Sequence, residues 1–205
     1  MRRPYLTGIA GGSCSGKTTL AVALAERLGT NRTARVSIDS YYHGRTSAEL
    51  EGVAQYNFDE PSALDHELLI QHIRDLSRGL SVAVPIYDFE NHRRTERISR
   101  VDPMPHVILE GLFSLYWDDV RSYLGTKVFI DIPHHISLAR RLKRDTHERG
   151  RPGEDVIRRY NHMARPMFDK YVLPTRGLAD VVVDGEKPAA ESTAAIVEHI
   201  EKSGC

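Results

Sequence analysis

Short β-branched runs alternate along the chain with longer stretches whose apolar residues recur every three or four positions. That alternation predicts βαβ units wound around a parallel sheet. Five runs read as core strands, at residues 5–10 (YLTGIA), 34–39 (ARVSID), 105–110 (PHVILE), 127–132 (KVFIDI) and 179–184 (ADVVVD). After the first, GKTTLAVALAERLG repeats Leu20, Leu24 and Leu28 along one helical face and stops at Gly29, the residue type that closes helices most readily. DHELLIQHIRDLSRG turns Leu69, Ile73 and Leu76 inward and ends at Gly79. Arg-rich helices are predicted around 134–148 and 154–170, and a last helix over about 188–202. One segment departs from the rhythm: SVAVPIYDF, a polar tip ENHRR and TERISRV form a hairpin insertion over about 81–101, with Pro85 confining its first strand to an edge. No internal repeat interrupts the pattern, which excludes a solenoid.

Composition narrows the function classes. The 205 residues suit one domain, expected to run 1–205. Twenty-eight basic residues balance 28 acidic ones, so no global field exists to hold nucleic acid or an anionic bilayer. Cys14 and Cys205 are too few and too far apart for a disulfide framework or a zinc site, which points to a reducing cytoplasm. Arg2 and Arg3 precede a mildly apolar stretch, but Gly8, Gly11 and Gly12 interrupt it and no A-x-A-like cleavage site follows, so it does not read as a secretory signal. No window reaches the roughly 18–20 apolar residues of a membrane span.

The chemistry is carried first by Gly11-Gly12-Ser13-Cys14-Ser15-Gly16-Lys17-Thr18, a full G-x-x-x-x-G-K-[ST] string that follows a strand and opens a helix. Glycines let the backbone wrap a polyphosphate with its N–H groups inward, and the helix N-terminus adds its dipole. Lys17 is then expected to reach the β and γ phosphates and Thr18 to ligate Mg²⁺. Carboxylates at strand ends come next, because ligands of open α/β sheets sit beyond the carboxyl ends of the strands. Asp39, Glu110 and Asp131 qualify. Phosphoryl transfer needs one carboxylate for the metal and one for the attacking hydroxyl's proton; Glu110 suits the first role and Asp39 the second. Asp131 reads as a turn residue, since Pro133 starts the next helix.

Of the 28 basic residues, 22 are Arg and 6 Lys. From 140 to 165 nine basic residues, among them Arg140, Arg141, Arg144, Arg149, Arg151, Arg158 and Arg159, stand against Asp145, Glu148, Glu154 and Asp155, a net +5. Gly150, Pro152 and Gly153 break the segment into two basic helices with a corner between them, as a lid over about 140–165 would be built. Its closure would deliver guanidiniums to a transferring phosphoryl group and exclude water. No N-K-x-D string for reading guanine occurs.

Seven blocks, in order, give the chain a resemblance to the uridine kinases (uridine-cytidine kinases): GGSCSGKTT ending at Thr19, IDSYY at 38–42, YNFDEPSALD at 56–65, PIYDF with His92, VILEG at 107–111, RRLKRDTHERGR at 140–151 and RPMFDKYVLPT at 165–175. The resemblance implies an α/β P-loop NTPase of the kinase type, with strand order 2-3-1-4-5, a substrate hairpin and an Arg-rich lid. It implies ATP-dependent phosphorylation of uridine and cytidine at the 5′-hydroxyl, with Mg²⁺ and with GTP as an alternative donor, in a cytoplasmic homotetramer of pyrimidine salvage. Asp39 would be the base; Asp59 and Arg141 would hold the ribose hydroxyls; Tyr87, Phe89 and His92 would enclose the pyrimidine with Phe58 and Tyr42 nearby. Arg144, Arg149 and Arg151 would approach the phosphates. Arg159 stands where such proteins usually carry Gln beside the nucleoside. The alternatives are a P-loop kinase of another small alcohol, phosphoribulokinase-like or pantothenate-kinase-like, and a nucleotide-binding regulator without catalysis.

Overall fold

The computed structural model of the protein describes residues 3–44, 57–89 and 91–203. Tyr56 of the YNFDEP block, Glu90 at the hairpin tip and Cys205 lie outside the described residues. All five expected core runs are strands: β1 (Tyr5–Gly11), β2 (Thr33–Ser37), β5 (His106–Glu110), β6 (Thr126–Asp131) and β7 (Val181–Asp184). They form one sheet in the order β2-β5-β1-β6-β7, every pair parallel, which is the expected 2-3-1-4-5. Alternation sorts the side chains. Leu6, Ala10, Val107, Leu109 and Phe129 face one layer and meet Leu69, Ile73 and Leu76 of α2 (His66–Ser77). Ile9, Ile108, Val128 and Ile130 face the other and meet Leu20 and Leu24 of α1 (Lys17–Leu28), with Ile196 and Ile200 of the C-terminal helix (Ala189–Lys202). Burial on both faces explains why these strands read as continuous apolar runs. Between β5 and β6 lies a single helical turn, α3 (Asp118–Arg121).

Two differences from the sequence expectation have physical causes. β2 stops at Ser37, and Ile38–Tyr41 is a 3₁₀ turn, so Asp39 sits one turn past the strand and not on its last residue. Ile38 and Tyr41, three apart and both fully buried, share one side of a 3₁₀ turn, where such positions eclipse. The helix expected over 154–170 is not one α-helix. α5 (Gly153–Arg159) passes into π turns at Tyr160–Ala164 and Phe168–Val172, separated by Arg165–Met167 and followed by a 3₁₀ stretch, Leu173–Leu178. Pro166 and Pro174 lack the amide hydrogens that a regular ladder needs, and wider or tighter turns absorb the mismatch.

The insertion is a separate two-stranded sheet, β3 (Val82–Asp88) against β4 (Arg93–Val101), with a register shift between Pro85 and Tyr87. Arg94, from β4, ties it to the rest of the molecule: Nη1 donates to Asp65 Oδ2 at 3.0 Å and Nη2 to the carbonyls of Tyr41 and Tyr42 at 3.2 and 3.3 Å. Asp65 also caps α2 by accepting from the Leu68 amide. Asp131 is paired with Arg176 at 2.9 Å, consistent with a structural role. Among the described residues, no helix is long and apolar enough to cross a membrane.

Candidate active site

The turn from β1 to α1 is shaped by backbone conformations and close approaches. Gly16, immediately before α1, is left-handed (φ 98°), as is Cys14 (φ 57°). A Cβ on Gly11 would lie 2.8 Å from Ser15 Oγ and 2.9 Å from the Ile130 carbonyl. Phe168, at the start of the second π turn, packs its ring where a Cβ on Gly12 would stand 3.2 Å away. Lys17 folds back over the loop, donating to the carbonyls of Gly12 (2.7 Å) and Gly11 (3.1 Å). Burial pushes its ammonium down from the usual lysine value, while the Glu110 and Asp39 carboxylates pull it up. Ser15 Oγ is buried inside the turn with no hydrogen-bond partner among the described residues. That orphaned hydroxyl and the inward wrap of the chain suit an anion that brings its own acceptor oxygens.

The loop opens on a cavity of about 570 Å³ that holds Ser13, Cys14, Ser15, Gly16, Lys17, Thr18 and Thr19 on one side. Glu110, at the end of β5, accepts from the Thr18 hydroxyl at 3.2 Å. The same cavity is lined by Arg140, Gly185 and Lys187, which sequence reasoning passed over as site residues. Arg140 donates to the Gly185 carbonyl at 2.9 Å, and Gly185 lies so close that a Cβ would fall 2.8 Å from Ile130 Cγ2. The one signal available was Gly185 itself, a glycine straight after a strand.

A second cavity, about 140 Å³, adjoins the first and gathers the remaining predicted residues: Phe58, Asp59, Tyr87, Phe89, His92, Arg141, Arg149, Arg151 and Arg159. Ser13, Asp39, Tyr42, Asp59 and Arg144 line both cavities. Arg149 and Arg151 line the smaller cavity and not the loop cavity. The aromatic residues form a chain of ring contacts, Phe89 to Tyr87 (5.1 Å), Tyr87 to Tyr42 (5.5 Å) and Tyr42 to Phe58 (5.8 Å). His92 stacks on Phe58 at 4.9 Å with the planes 24° apart. Its backbone is left-handed (φ 50°), a conformation uncommon outside glycine and often found where function holds it. Burial and the Arg151, Arg159 and Arg149 guanidiniums hold the imidazole below its usual value, so it is neutral at pH 7 and can both donate and accept.

Charge is concentrated where the cavities meet. Burial and the Glu110 carboxylate raise Asp39 to about 6. Asp59 is raised too, by burial, against the pull of Arg141 and Arg159. Tyr42 is pushed well above the ordinary phenol value by burial and by these two carboxylates, and its hydroxyl donates to the Phe58 carbonyl at 3.1 Å. Two further residues escaped sequence reasoning. Arg94, two positions past His92, holds the hairpin against the Asp39 turn; nothing in the local pattern separates it from its exposed neighbours. Asp145 appeared only as one of four acidic residues in a basic run, although its i−4 and i+4 neighbours are both arginines.

Comparison with known proteins bears on this geometry. Residues 6–189 match the Phosphoribulokinase / Uridine kinase family. A uridine kinase from Chloroflexus aurantiacus is 40% identical over 182 residues, covering 89% of this chain and 87% of that protein. The chloroplastic uridine/cytidine kinase UKL1 of Arabidopsis thaliana is 40% identical over 183 residues, 89% of this chain. The chain spans about two fifths of the length of that and similar plant relatives, 38% to 44%. Phosphoribulokinase from Rhodobacter spheroides, at 15% identity, superposes with a TM-score of 0.65 over 90% of this chain and 71% of its own, a likeness of fold.

Proposed function

The chain belongs to the phosphoribulokinase/uridine kinase family, and on that premise we propose that it transfers the γ-phosphoryl group of ATP to the 5′-hydroxyl of uridine and cytidine, acting as one catalytic unit over its whole length. The observation that carries this reading is Asp39, which lines both the phosphate-loop cavity and the aromatic one. A proton acceptor for an attacking hydroxyl belongs at that seam. In this reading the loop amides from Ser13 to Thr19 receive the triphosphate, Ser15 finds a partner for its hydroxyl, and Lys17 exchanges the Gly11 and Gly12 carbonyls for phosphate oxygens. Bound Mg²⁺ would neutralise charge on the phosphates. Thr18 and Glu110 would hold it together with phosphate oxygens, since among the described residues no group of three or more His, Cys, Asp or Glu could hold a metal alone. Their paired oxygens, 3.2 Å apart, are the hard donors such an ion takes.

On the acceptor side, Asp59 accepts from the vicinal ribose hydroxyls with Arg141 beside it, while neutral His92 and Tyr87 address the polar edge of the base and Phe58 and Phe89 flank it. The acceptor cavity, about 140 Å³, is the smaller of the two, which favours a single-ring base over a purine. Arg144 reaches both cavities and stabilises charge on the transferring group. A coupled assay with ATP and Mg²⁺ across a nucleoside panel tests the assignment. Uridine and cytidine should turn over, adenosine should not, and deoxyuridine should be poorer by up to about 10⁴, because a site built for a hydroxyl leaves its own groups unpaired without it. Equal use of adenosine would overturn the pyrimidine reading, and equal use of deoxyuridine would remove Asp59 from the ribose.

A further inference from the structure

Of the lid's four carboxylates, none used by the transfer itself, one is buried. Asp145, in α4 (His134–His147), is 1% exposed and stands among four guanidiniums. Arg144 donates to Oδ1 through Nε at 2.8 Å, and its Nη2 lies 2.8 Å from the same oxygen. Arg149 lies 3.6 Å from Oδ1, and Arg141 and Arg151 each lie 3.7 Å from Oδ2, which accepts no hydrogen bond. The Arg151 amide donates to the Asp145 carbonyl at 3.0 Å, which folds the Gly150 corner back onto the helix. One negative charge therefore serves four positive ones. Among the described residues, Arg144 is the one that hydrogen-bonds this carboxylate; Arg141, Arg149 and Arg151 are drawn close without bonding it. Such a cluster is short of acceptor oxygens, and all four arginines line the acceptor cavity that also contains Asp39.

We propose that Asp145 is a positioning residue for phosphoryl transfer, a buried counter-charge that gathers Arg141, Arg149 and Arg151 around Arg144 so that an arriving phosphate group completes their coordination. Without it, four guanidiniums would repel one another and the corner would open. The inference rests on the kinase reading above. Misplacing transferring-group contacts by about 1 Å can cost on the order of 10²-fold in rate, and that is the expected fall in kcat for Asp145→Asn, with a smaller rise in the KM for uridine because Arg141 also stands beside Asp59. Adding Arg149→Gln to Asp145→Asn should cost nothing further, because groups that act as a unit are non-additive. Losses that multiply, or an unchanged kcat, would overturn the proposal. Asp145→Glu keeps the charge and so the fold, but displaces it by one methylene; it should also lower kcat, and wild-type turnover in that variant would count against positioning. A measurement without turnover separates the two readings. Inorganic tripolyphosphate should slow tryptic cleavage after Arg149 in the wild-type protein and fail to do so in Asp145→Asn. Protection without uridine turnover would remove the acceptor assignment and leave Asp145 its role; equal protection of both proteins, or of neither, would overturn the role.

Discussion

The two cavities that meet at Asp39 are built in opposite ways. The donor side is made from backbone: amides of one contiguous loop, glycines at Gly11, Gly16 and Gly185 where a side chain would collide or strain, and strands of the central sheet behind them. The acceptor side is made from side chains brought in by separate segments, with Phe58 and Asp59 from the loop before α2, Tyr87, Phe89 and His92 from the hairpin, and the arginines from the lid. A phosphate chain is the same in every donor, so a rigid cradle suffices for it. An acceptor is recognised by its particular hydroxyls and ring edge, which takes long residues that can be exchanged without disturbing the sheet. If this contrast is right, donor and acceptor affinities should respond to different substitutions away from the residues that line both cavities, Asp39 among them.

The largest effect is expected at the seam. Asp39→Asn keeps the shape and removes the proton acceptor, at a cost of about 10² to 10⁴ in kcat. ATP affinity, read by equilibrium titration, should stay within a few-fold of wild type. Nearly normal turnover would make Asp39 a part of one wall. Lys17→Met should follow, losing on the order of 10² to 10³ in kcat as the removal of one charge-stabilising donor typically does, with the KM for uridine unmoved. Smaller again is His92→Ala. Losing one aromatic contact and its hydrogen bond weakens uridine by about tenfold at most, with the ATP constants intact. A change in the KM for ATP would show that the sides are coupled beyond the residues they share.

The pH dependence sharpens the same point. With Asp39 at about 6, kcat/KM should fall tenfold per pH unit below that value, and the acidic limb should vanish in Asp39→Asn. Stability runs the other way. The folded protein binds this proton more tightly than the unfolded chain does, so ionisation between about pH 4 and 6 destabilises the fold. Asp39→Asn should therefore match wild type in thermal midpoint near pH 4 and exceed it above pH 6. Asp39 keeps part of its surface in the cavity, which limits the gain to about 1–2 kcal/mol, or a few degrees for a chain of this size. An equal midpoint at pH 8 would place its pKa in the ordinary carboxylate range.

The same contrast decides what the sequence could reveal. The donor loop is one uninterrupted string, and the sheet that carries it is buried on both faces, so strand order and loop could both be read from local pattern and family resemblance. Phe58, Tyr87 and Arg141 lie in different segments, and only the resemblance joined them in advance. Arg140 and Asp145 fared worse. One is a single arginine among twenty-two, and its use is fixed by the Gly185 carbonyl, a contact between residues 45 positions apart. The other is acidic in a stretch whose net charge is what catches the eye, and a count of charges conceals a hub. The Asp39 turn was misplaced by one element because strand propensity continues through Ile38 while burial of Tyr41 bends the chain away.

The ring of Phe168 against Gly12 has a mechanical consequence. Tyr160, one π turn earlier, is tied to His134 by its hydroxyl, which donates to the His134 carbonyl at 3.1 Å. The long segment behind the lid is thus pinned at two points, one to the foot of α4 and one to the loop itself. A lever held at both bearings cannot swing as a whole. Travel is left to the outer end, around Gly150 and Gly153, a small tip carrying Arg149 and Arg151 across a short stroke. Swapping Gly12 for a bulkier residue would press on the bearing first, so a lesion in the cradle would be felt in the arm before it was felt by the phosphates.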